Sequence, residues 1–162
     1  MRLMKKKSYP IFIGADHRGF ELKGRLIASL KKQGHEVVDA GSYDTEPCDY
    51  PPIALEVASN VARLKGSRGI LVCMSGIGHS ITANKVKGAY AALCYNAQAA
   101  ELSRRHNNAN ILVLGAAFVK ERDILKIIEV WLATEFEGGR HLRRTNEIKA
   151  IEKKLFKEKD PI

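Results

Sequence analysis

Four short segments of the chain carry residue types that could bind an anion or move a proton. The first covers residues 14–19, Gly-Ala-Asp-His-Arg-Gly, and directly follows a short apolar run. Its glycine spacing resembles a phosphate-binding loop, but Phe20 and Glu21 occupy the positions of the required lysine and hydroxyl residue, so that loop is excluded. Asp16 and His17 are then either a helix cap and its neighbour, or a carboxylate and an imidazole that both face a ligand.

The second segment, residues 73–85, begins Cys-Met-Ser-Gly-Ile-Gly and leads into a predicted helix. Backbone N–H groups can converge around Gly76 and Gly78, and the amino terminus of a helix attracts negative charge, so the segment predicts an anion cradle. Cys73 lies beside this cradle, where a helix dipole and nearby cations could favour the thiolate. A buried cysteine ordinarily serves packing. We expect packing from Cys94 and chemistry from Cys73.

The other two segments offer a base and a pair of cations. His106 and Asn107 follow the fourth predicted helix, which they could cap, or they could supply acid–base chemistry and a hydrogen bond to a carbonyl. Arg140 and Arg144 lie four residues apart on the last predicted helix, so they share a face and could bind one phosphate. A solvated basic face is the alternative, and Arg143 points away from the pair. Since no metal-ligand spacing is recognisable, we expect chemistry without a metal.

Five apolar runs, each followed by a helical pattern, must position these residues. The runs are rich in β-branched and aliphatic residues without clean alternation, which predicts strands buried on both faces of a parallel sheet. They cover residues 11–13, 36–40, 69–73, 89–94 and 111–114. The helical patterns cover about 22–30, 53–64, 78–85, 97–104, 124–132 and 140–159.

This order of strands and helices predicts a single α/β domain over residues 1–162. We expect a Rossmann-like three-layer αβα sandwich with a five-stranded parallel sheet and a C-terminal helix. A basic extension of about 1–9 precedes the first strand, and the last helix, about 140–159, is charged. Ligands of such sheets bind at the carboxyl ends of the strands. Asp16 and Cys73, which follow or end two strands, therefore belong to the predicted site.

The composition limits the classes of protein that fit. A chain of 162 residues with 45% hydrophobic and 28% charged residues is typical of one globular domain, which excludes a disordered chain or a disulfide scaffold. No apolar run reaches the roughly 18–20 residues of a membrane helix, and no apolar region follows the N-terminal lysines as in a secretory signal. Three cysteines, an odd number, fit the reducing cytoplasm.

The net charge of +9 comes from 27 Lys and Arg against 18 Asp and Glu, and the excess is concentrated at the two ends of the chain. Such ends indicate affinity for some anion. Binding of nucleic acid would rest on charge alone, because no aromatic-interleaved surface or recognisable module accompanies it. We therefore expect neither a nucleic acid nor a membrane as a partner.

The chemistry-bearing segments together resemble ribose-5-phosphate isomerase type B, in the family that also holds galactose-6-phosphate and allose-6-phosphate isomerases. The resemblance extends from about residue 11 to about residue 151. It rests on five motifs in order: Gly-Ala-Asp-His-Arg-Gly-Phe from Gly14, Cys-Asp-Tyr-Pro from Cys48, the whole of 73–85, Arg-His-Asn-Asn-Ala-Asn from Arg105, and Glu-Gly-Gly-Arg-His-Leu-Arg-Arg from Glu137.

The resemblance implies a reversible aldose–ketose isomerisation through a cis-enediolate, without a cofactor. It implies that Cys73 is the general base between C1 and C2, with help from Ser75, which is usually threonine in the family. The backbone amides of the loop through Gly76 and Gly78 would stabilise the enediolate oxygen. His106, helped by Asp49, would open the furanose ring.

The resemblance also implies how the substrate, a small sugar phosphate, is held. His17, Arg140 and Arg144 would bind the phosphate, Asn107 would hold the substrate, and Tyr50 would line the sugar pocket. Members of the family are homodimers, sometimes paired into tetramers, and each site is completed across the interface. The expected working unit is therefore a cytoplasmic dimer.

Three positions depart from the family pattern and leave the substrate open. Alanine stands at Ala117 and tyrosine at Tyr90 where many members have arginine, and Met74 stands where glycine is usual. One lost charge-assisted phosphate contact costs about 1.5–3 kcal/mol. Ribose 5-phosphate is the first expectation. A six-carbon substrate, allose 6-phosphate or galactose 6-phosphate, and a sugar-phosphate-binding member without catalysis are the alternatives.

Overall fold

The computed structural model describes residues 9–156, so most of the expected N-terminal extension, and residues 157–159 of the expected last helix, lie outside the described part. The strands are β1 (Ile11–Ala15), β2 (Val37–Asp39), β3 (Arg68–Cys73), β4 (Ala91–Leu93) and β5 (Ile111–Gly115). The helices are α1 (Phe20–Lys32), α2 (Tyr50–Arg63), α3 (Ile77–Ala83), α4 (Ala97–Arg105), α5 (Glu121–Ala133) and α6 (Gly139–Leu155).

The five strands form one parallel sheet in the order β2-β1-β3-β5-β4, with helices on both faces. Apolar residues of α1, α4 and α5 pack on one face, where Trp131 is fully buried. Residues of α2 and α3 pack on the other face. The expected three-layer α/β sandwich with a five-stranded parallel sheet and a C-terminal helix is confirmed.

Burial of the strands differs from the sequence-based expectation at both edges of the sheet. The central strands β1, β3 and β5 are almost entirely buried, as expected. The outer strands β2 and β4 are only partly buried, and Val38 is 39% exposed, so the expectation of burial on both faces is wrong for these two. An outer strand has one neighbouring strand, and its other side is open.

Two helices end earlier than the sequence pattern predicts. α3 ends at Ala83 rather than at Lys85. Asn84, which follows the last helical residue, uses its side chain to hydrogen-bond with the backbone of β4. Its amide nitrogen donates to the carbonyl oxygen of Ala91 at 2.9 Å, and its oxygen accepts from the N–H of the same residue at 2.9 Å. α6 ends at Leu155, because Phe156 has left helical backbone geometry.

A buried lysine fixes the segment that leads from β2 towards α2. The Lys23 side chain is 1% exposed, and its Nζ donates to Asp39 Oδ1 and to the carbonyl oxygen of Ser42, both at 2.5 Å. A buried ammonium group is tolerated only when it is paired in this way. α1 and the end of β2 are therefore held together where the chain turns towards residues 48–50. Among residues 9–156, no helix is both long and apolar enough to cross a membrane.

Candidate active site

The strands define two edges of the sheet, and the candidate residues divide between them. The carboxyl edge is formed by Ala15, Cys73 and Gly115, where β1, β3 and β5 end in register. The amino edge is formed by the starts of the same strands. β5 is five residues long, so the two edges lie about 13 Å apart along the strands.

A thiol and a carboxylate face each other at the carboxyl edge. Cys73 is 8% exposed and Asp16 is 7% exposed, and Cys73 Sγ lies 3.7 Å from Asp16 Oδ2. The other carboxylate oxygen, Asp16 Oδ1, accepts from the backbone N–H groups of Arg18 and Gly19, each at 3.1 Å. These two bonds fix the carboxylate and leave Oδ2 to take the thiol proton. Asp16 thus orders the turn before α1, although Gly19 and not Asp16 is the N-cap of that helix, and its second oxygen faces Cys73; its role towards a ligand stays a prediction.

The loop after Cys73 is held in place by backbone contacts that require glycine. Gly76 has φ +79°, and a Cβ there would lie 2.5 Å from Leu93 Cδ1. The carbonyl of Ser75 lies against Gly115, where a Cβ would be 2.4 Å from the Ser75 oxygen. The Tyr95 hydroxyl donates to that carbonyl at 3.2 Å. The N–H of Ile77 donates to Ser75 Oγ at 3.3 Å, and the next N–H groups at the start of the helix have no partner within it, so the loop can offer amide donors to an oxyanion.

Three further predicted residues lie on this side of the sheet, one after β1 and two at the start of α2: His17, Asp49 and Tyr50. Nδ1 of His17 accepts from the backbone N–H of Cys48 at 3.2 Å, which leaves its Nε2–H free to donate to a ligand. Asp49 is exposed at the start of α2, and its side chain makes no capping bond. The Tyr50 ring lies over Gly78, where a Cβ would be 2.4 Å from the ring. Tyr50 therefore covers the helix start that follows Cys73, as a residue lining a pocket would.

His79 is a residue of this region that the sequence reasoning missed. Its ring is fully buried, neither ring nitrogen has a hydrogen-bond partner, and it meets the Tyr50 ring edge-on at 5.6 Å between centroids. Burial lowers the pKa of His79 to about 4, although the charge of Asp16 acts in the opposite direction. The available signal was a histidine directly after Gly78, on the short helix that opens from the anion cradle.

The amino edge carries the second group of candidate residues. His106 ends α4, and its imidazole stacks on that of His141 in α6, with ring centroids 4.0 Å apart and planes within 8°. Glu137 lies opposite both rings, with carboxylate oxygens 3.9 Å from His106 Nε2 and 4.0 Å from His141 Nε2. The Nε–H of Arg140 donates to His141 Nε2 at 3.4 Å. Burial is the main cause that lowers the pKa of His141, and the charge of His106 lowers it further. The His141 ring is therefore a neutral acceptor for Arg140.

The remaining predicted residues of this edge are exposed. Asn107 follows His106, and Arg140 and Arg144 stand one turn apart on the exposed surface of α6, free to approach a ligand. Arg143 is exposed, as expected, and pairs with Glu147 at 3.0 Å. The sequence reasoning did not identify Glu137 and His141 as neighbours of His106, because only the fold brings α4 and α6 together.

His106, Glu137 and His141 offer three ligand atoms within 4.8 Å of one another, a grouping typical of metal sites. The stacking argues against that use, because lone pairs of two parallel rings run side by side and do not converge on one point. Arg140 also bonds to His141 Nε2, the atom a metal would need. The arrangement is better suited to holding a proton and an anion.

One chain does not bring all the predicted site residues together. His17 and Cys73 lie at the carboxyl edge, whereas His106, Arg140 and Arg144 lie at the amino edge. The reason is topological: α4 and α5 run antiparallel to the strands, so the residues that follow them are returned to the starts of the strands. The expectation that His17 and the two arginines bind one phosphate is therefore not met within a single chain.

The three positions that depart from the family pattern have identifiable contacts. Met74 is 48% exposed, and its sulphur accepts from the Arg18 guanidinium at 3.0 Å. Ala117 is exposed and donates its N–H to the Met74 carbonyl at 2.9 Å, so the Arg18 guanidinium lies close to the place where an arginine is usual. The Tyr90 hydroxyl donates to Glu152 Oε2 at 2.9 Å, which ties β4 to α6.

This chain is similar to known proteins over most of its length. A family model described as ribose/galactose isomerase matches residues 11–148. Ribose-5-phosphate isomerase B of Escherichia coli (strain K12) is 42% identical over 144 residues, which are 89% of this chain and 97% of the relative.

Two solved structures superpose closely on this fold. Ribose-5-phosphate isomerase B of Clostridium thermocellum has a TM-score of 0.87 at 47% identity, over 90% of this chain and 99% of the other. Ribose-5-phosphate isomerase B of Mycoplasma genitalium, solved with bound ribulose-5-phosphate, has a TM-score of 0.87 at 42% identity, over 91% of this chain and 99% of the other.

Proposed function

The chain belongs to the ribose/galactose isomerase family, and on this basis we propose that it interconverts ribose 5-phosphate and ribulose 5-phosphate. The observation that carries the proposal is the buried Cys73 thiol, 3.7 Å from the Asp16 carboxylate and beside a glycine loop that offers amide donors. A base next to oxyanion donors is what proton abstraction beside a carbonyl requires.

The proposed reaction moves one proton from C2 to C1 of the open-chain sugar. Asp16 takes the thiol proton, and the Cys73 thiolate removes the proton from C2, so that an enediolate forms with its charge on O1. Amides of the loop through Gly76 and Gly78, and the Ser75 hydroxyl, stabilise that charge. The thiol then returns the proton to C1 and the thiolate is restored, and the C2 carbonyl forms as O2 loses its proton and O1 gains one. No cofactor enters this balance.

Ring opening and substrate binding are assigned to the other candidate residues. We propose that His106 and Asp49 transfer the protons that open the furanose ring, and that Asn107 holds the sugar through hydrogen bonds. Nε2–H of His17 and the guanidinium groups of Arg140 and Arg144 bind the phosphate. Two arginines one turn apart suit this role because each can donate two hydrogen bonds to phosphate oxygens.

We propose that the working unit is a homodimer, in which the amino edge of one chain completes the carboxyl edge of the other. The support is that the base and the ring-opening histidine lie at opposite edges of one chain, about 13 Å apart along the strands. A two-fold axis would create two equivalent composite sites, since an isologous interface repeats each contact. We take the dimer as the functional minimum, whether or not two dimers pair into a tetramer. We further propose a cytoplasmic enzyme of the pentose phosphate pathway.

An isomerisation assay with matched cysteine variants tests the proposal. Cys73→Ala should lower kcat about 10³-fold, the scale of a lost general base, while ribose 5-phosphate still binds in calorimetry. Cys94→Ala is the control, because Cys94 is also buried, burial raises the pKa of its thiol, and it should be dispensable. Loss of activity in the control alone would contradict the assignment of Cys73.

The same assay separates the alternatives when allose 6-phosphate and galactose 6-phosphate are tested beside ribose 5-phosphate. Higher kcat/KM for a six-carbon substrate would keep the mechanism and change the substrate. If wild type and Cys73→Ala bind sugar phosphates but are equally inactive on all of them, the chain is a binding member of the family without catalysis.

A further inference from the structure

An aldose–ketose isomerisation moves two protons, and the roles assigned above account for only one of them. Besides the proton that Cys73 carries from C2 to C1, the aldehyde oxygen O1 must gain a proton and the hydroxyl oxygen O2 must lose one. This inference rests on the proposed function and concerns the group that transfers the oxygen-bound proton.

His79 is the unexplained polar group of the carboxyl edge. Its ring is fully buried and has no hydrogen-bond partner at either nitrogen, whereas buried polar groups are nearly always paired. Its neighbours are residues of the site: the Tyr50 ring lies edge-on to it at 5.6 Å, and the Asp16 charge acts on it. Leaving such a group unpaired costs stability, so its place within reach of the Asp16 charge and against Tyr50 points to use by the substrate.

The chemical state of His79 suits transfer of a proton between two oxygens. Burial keeps the imidazole neutral, so one nitrogen carries a proton and the other has a free lone pair. A neutral imidazole can donate a hydrogen bond to a developing oxyanion and can accept the proton of an adjacent hydroxyl. Ser75 is placed differently, because its Oγ already accepts from the Ile77 N–H at 3.3 Å and has one proton, which the proposed function assigns to the oxyanion.

We propose that His79 is a second catalytic residue, which carries the proton between O1 and O2 of the enediolate. After Cys73 removes the proton from C2, the N–H of His79 donates its proton to O1. The O2 hydroxyl then gives its proton to the same nitrogen, and negative charge moves to O2. The Cys73 thiol protonates C1 as the C2 carbonyl forms. The imidazole is neutral before and after, so atoms and charge balance.

Access to His79 is through Tyr50. The Tyr50 ring is 38% exposed, lies over Gly78 and meets the His79 ring edge-on. Tyr50 is the first residue of α2, so rotation of its side chain does not disturb a helix interior. In the proposed mechanism, substrate displaces this ring to reach the His79 imidazole.

Isotope exchange distinguishes this role from a structural one. In D₂O, deuterium enters C2 of recovered ribose 5-phosphate whenever the enediolate forms and returns, and conversion to ribulose 5-phosphate is measured in the same sample by NMR. In His79→Leu, the C2 step survives but transfer between O1 and O2 is impaired. The rate of conversion to ribulose 5-phosphate should fall about 10²-fold, on the scale of general acid–base effects. The ratio of deuterium exchange at C2 to conversion should rise about tenfold.

The control variants have opposite expectations. His35→Leu makes the same replacement in the loop before β2 and should change neither exchange nor conversion. Cys73→Ala should abolish both. His79→Gln, which keeps polarity but cannot carry a proton, should behave like His79→Leu and serves if the leucine variant does not fold.

Several results would overturn the inference. Equal losses of exchange and conversion in the His79 variants, unchanged values in both, or failure of both variants to fold would make His79 a structural residue. A higher exchange ratio in Ser75→Ala but not in His79→Leu would assign the role to Ser75. A wild type that neither exchanges nor converts any sugar phosphate overturns the proposed function as well, so the two failures are distinguishable.

Discussion

The imidazole rings of His106 and His141 stack in parallel, with centroids 4.0 Å apart and planes within 8°. This contact joins the end of α4 to the first turn of α6, which also carries Arg140. Two protonated imidazoles at this separation would repel each other, so the pair is stable when at most one carries a charge. The stack therefore orients His106 and keeps His141 available as an acceptor for Arg140.

The titration of His141 should respond to its charged neighbours with opposite signs. Burial, His106, Arg140 and Arg144 lower the pKa of His141, and Glu137 raises it. We expect Arg140→Gln to raise the pKa of His141 and Glu137→Gln to lower it further. Histidine Cε1 resonances followed by NMR from about pH 8 to about pH 4 measure both shifts against the ordinary value of about 6.5.

Arg122→Gln, at the start of α5 and thus at the carboxyl edge, is the matched control and should leave this titration unchanged. A His141 pKa that does not respond to either Arg140→Gln or Glu137→Gln would contradict the contacts around the stack.

His79 should make the protein sensitive to acid. Its folded-state pKa is about 4, whereas an unfolded histidine titrates at about 6.5. Between these values the unfolded chain binds a proton that the folded chain does not, so the free energy of unfolding falls as the pH falls. The loss by about pH 4 is about 3 kcal/mol, since one pKa unit corresponds to about 1.4 kcal/mol.

Urea denaturation at about pH 7 and about pH 4.5 measures this loss. His79→Leu should lack it and should be at least as stable as wild type at neutral pH, because an unpaired buried polar group has been removed. His35→Leu should keep the pH dependence of wild type. If the free energy of unfolding falls equally with pH in wild type and in His79→Leu, groups other than His79 cause the acid sensitivity.

Much of the fold could be predicted because its signals are local. Apolar runs and helical periodicity identified the five strands and six helices found within residues 9–156. The boundaries at Asn84 and the exposure of Val38 were missed, because they depend on which strands become the outer ones. Strand order is set by packing between distant segments, and no pattern within β2 or β4 reports it.

The site divides in the same way. The location of Asp16 and Cys73 at one edge of the sheet followed from the rule that ligands bind where parallel strands end, since each residue directly follows or ends a strand, but their contact was not predicted. The separation of His106 from Cys73 also follows from topology, once α4 is known to run back along the sheet. The unpaired nitrogens of His79 and the stack on His141 could not be predicted, because they are contacts between elements far apart in sequence.

Tyr90 should stabilise α6 rather than bind phosphate. Its hydroxyl donates to Glu152 Oε2 at 2.9 Å, and the N–H of Gly88 donates to Oε1 at 2.6 Å. Burial is the main cause that raises the pKa of Tyr90 to about 12, and the hydrogen bond to Glu152 adds to it. The hydroxyl therefore remains a donor. We expect Tyr90→Phe to lower the free energy of unfolding by about 1–2 kcal/mol, measured by urea denaturation.

Tyr43→Phe is the control for Tyr90→Phe, since Tyr43 is 73% exposed and its hydroxyl makes only a long contact of 3.4 Å. It should change stability little. A larger effect on KM for the sugar phosphate than on stability in Tyr90→Phe would instead indicate that Tyr90 itself contacts the substrate.

Gly115→Ala should damage catalysis without removing any group that meets the substrate. A Cβ at Gly115 would lie 2.4 Å from the carbonyl oxygen of Ser75, a backbone atom that moves only with the loop after Cys73. We expect kcat to fall at least about tenfold, because misplacing a reacting group by about 1 Å is that costly. Gly24→Ala is the control: nothing lies near its Cβ, and it should stabilise α1 by about 0.5–1 kcal/mol. Unchanged kcat in Gly115→Ala would show that the loop tolerates displacement.

Mixing two inactive variants should restore activity if the site is shared between chains. Cys73→Ala removes the base at the carboxyl edge, and Arg140→Ala removes a phosphate ligand at the amino edge. In a heterodimer of the two, one composite site carries both changes and the other carries neither. Random exchange of chains makes half of the dimers mixed, so the mixture should recover about a quarter of wild-type activity under two-fold symmetry. Exchange is promoted by mild urea and checked by native mass spectrometry. If mixed dimers form and activity stays at the level of the separate variants, Cys73 and Arg140 act in the same chain and the composite site is wrong.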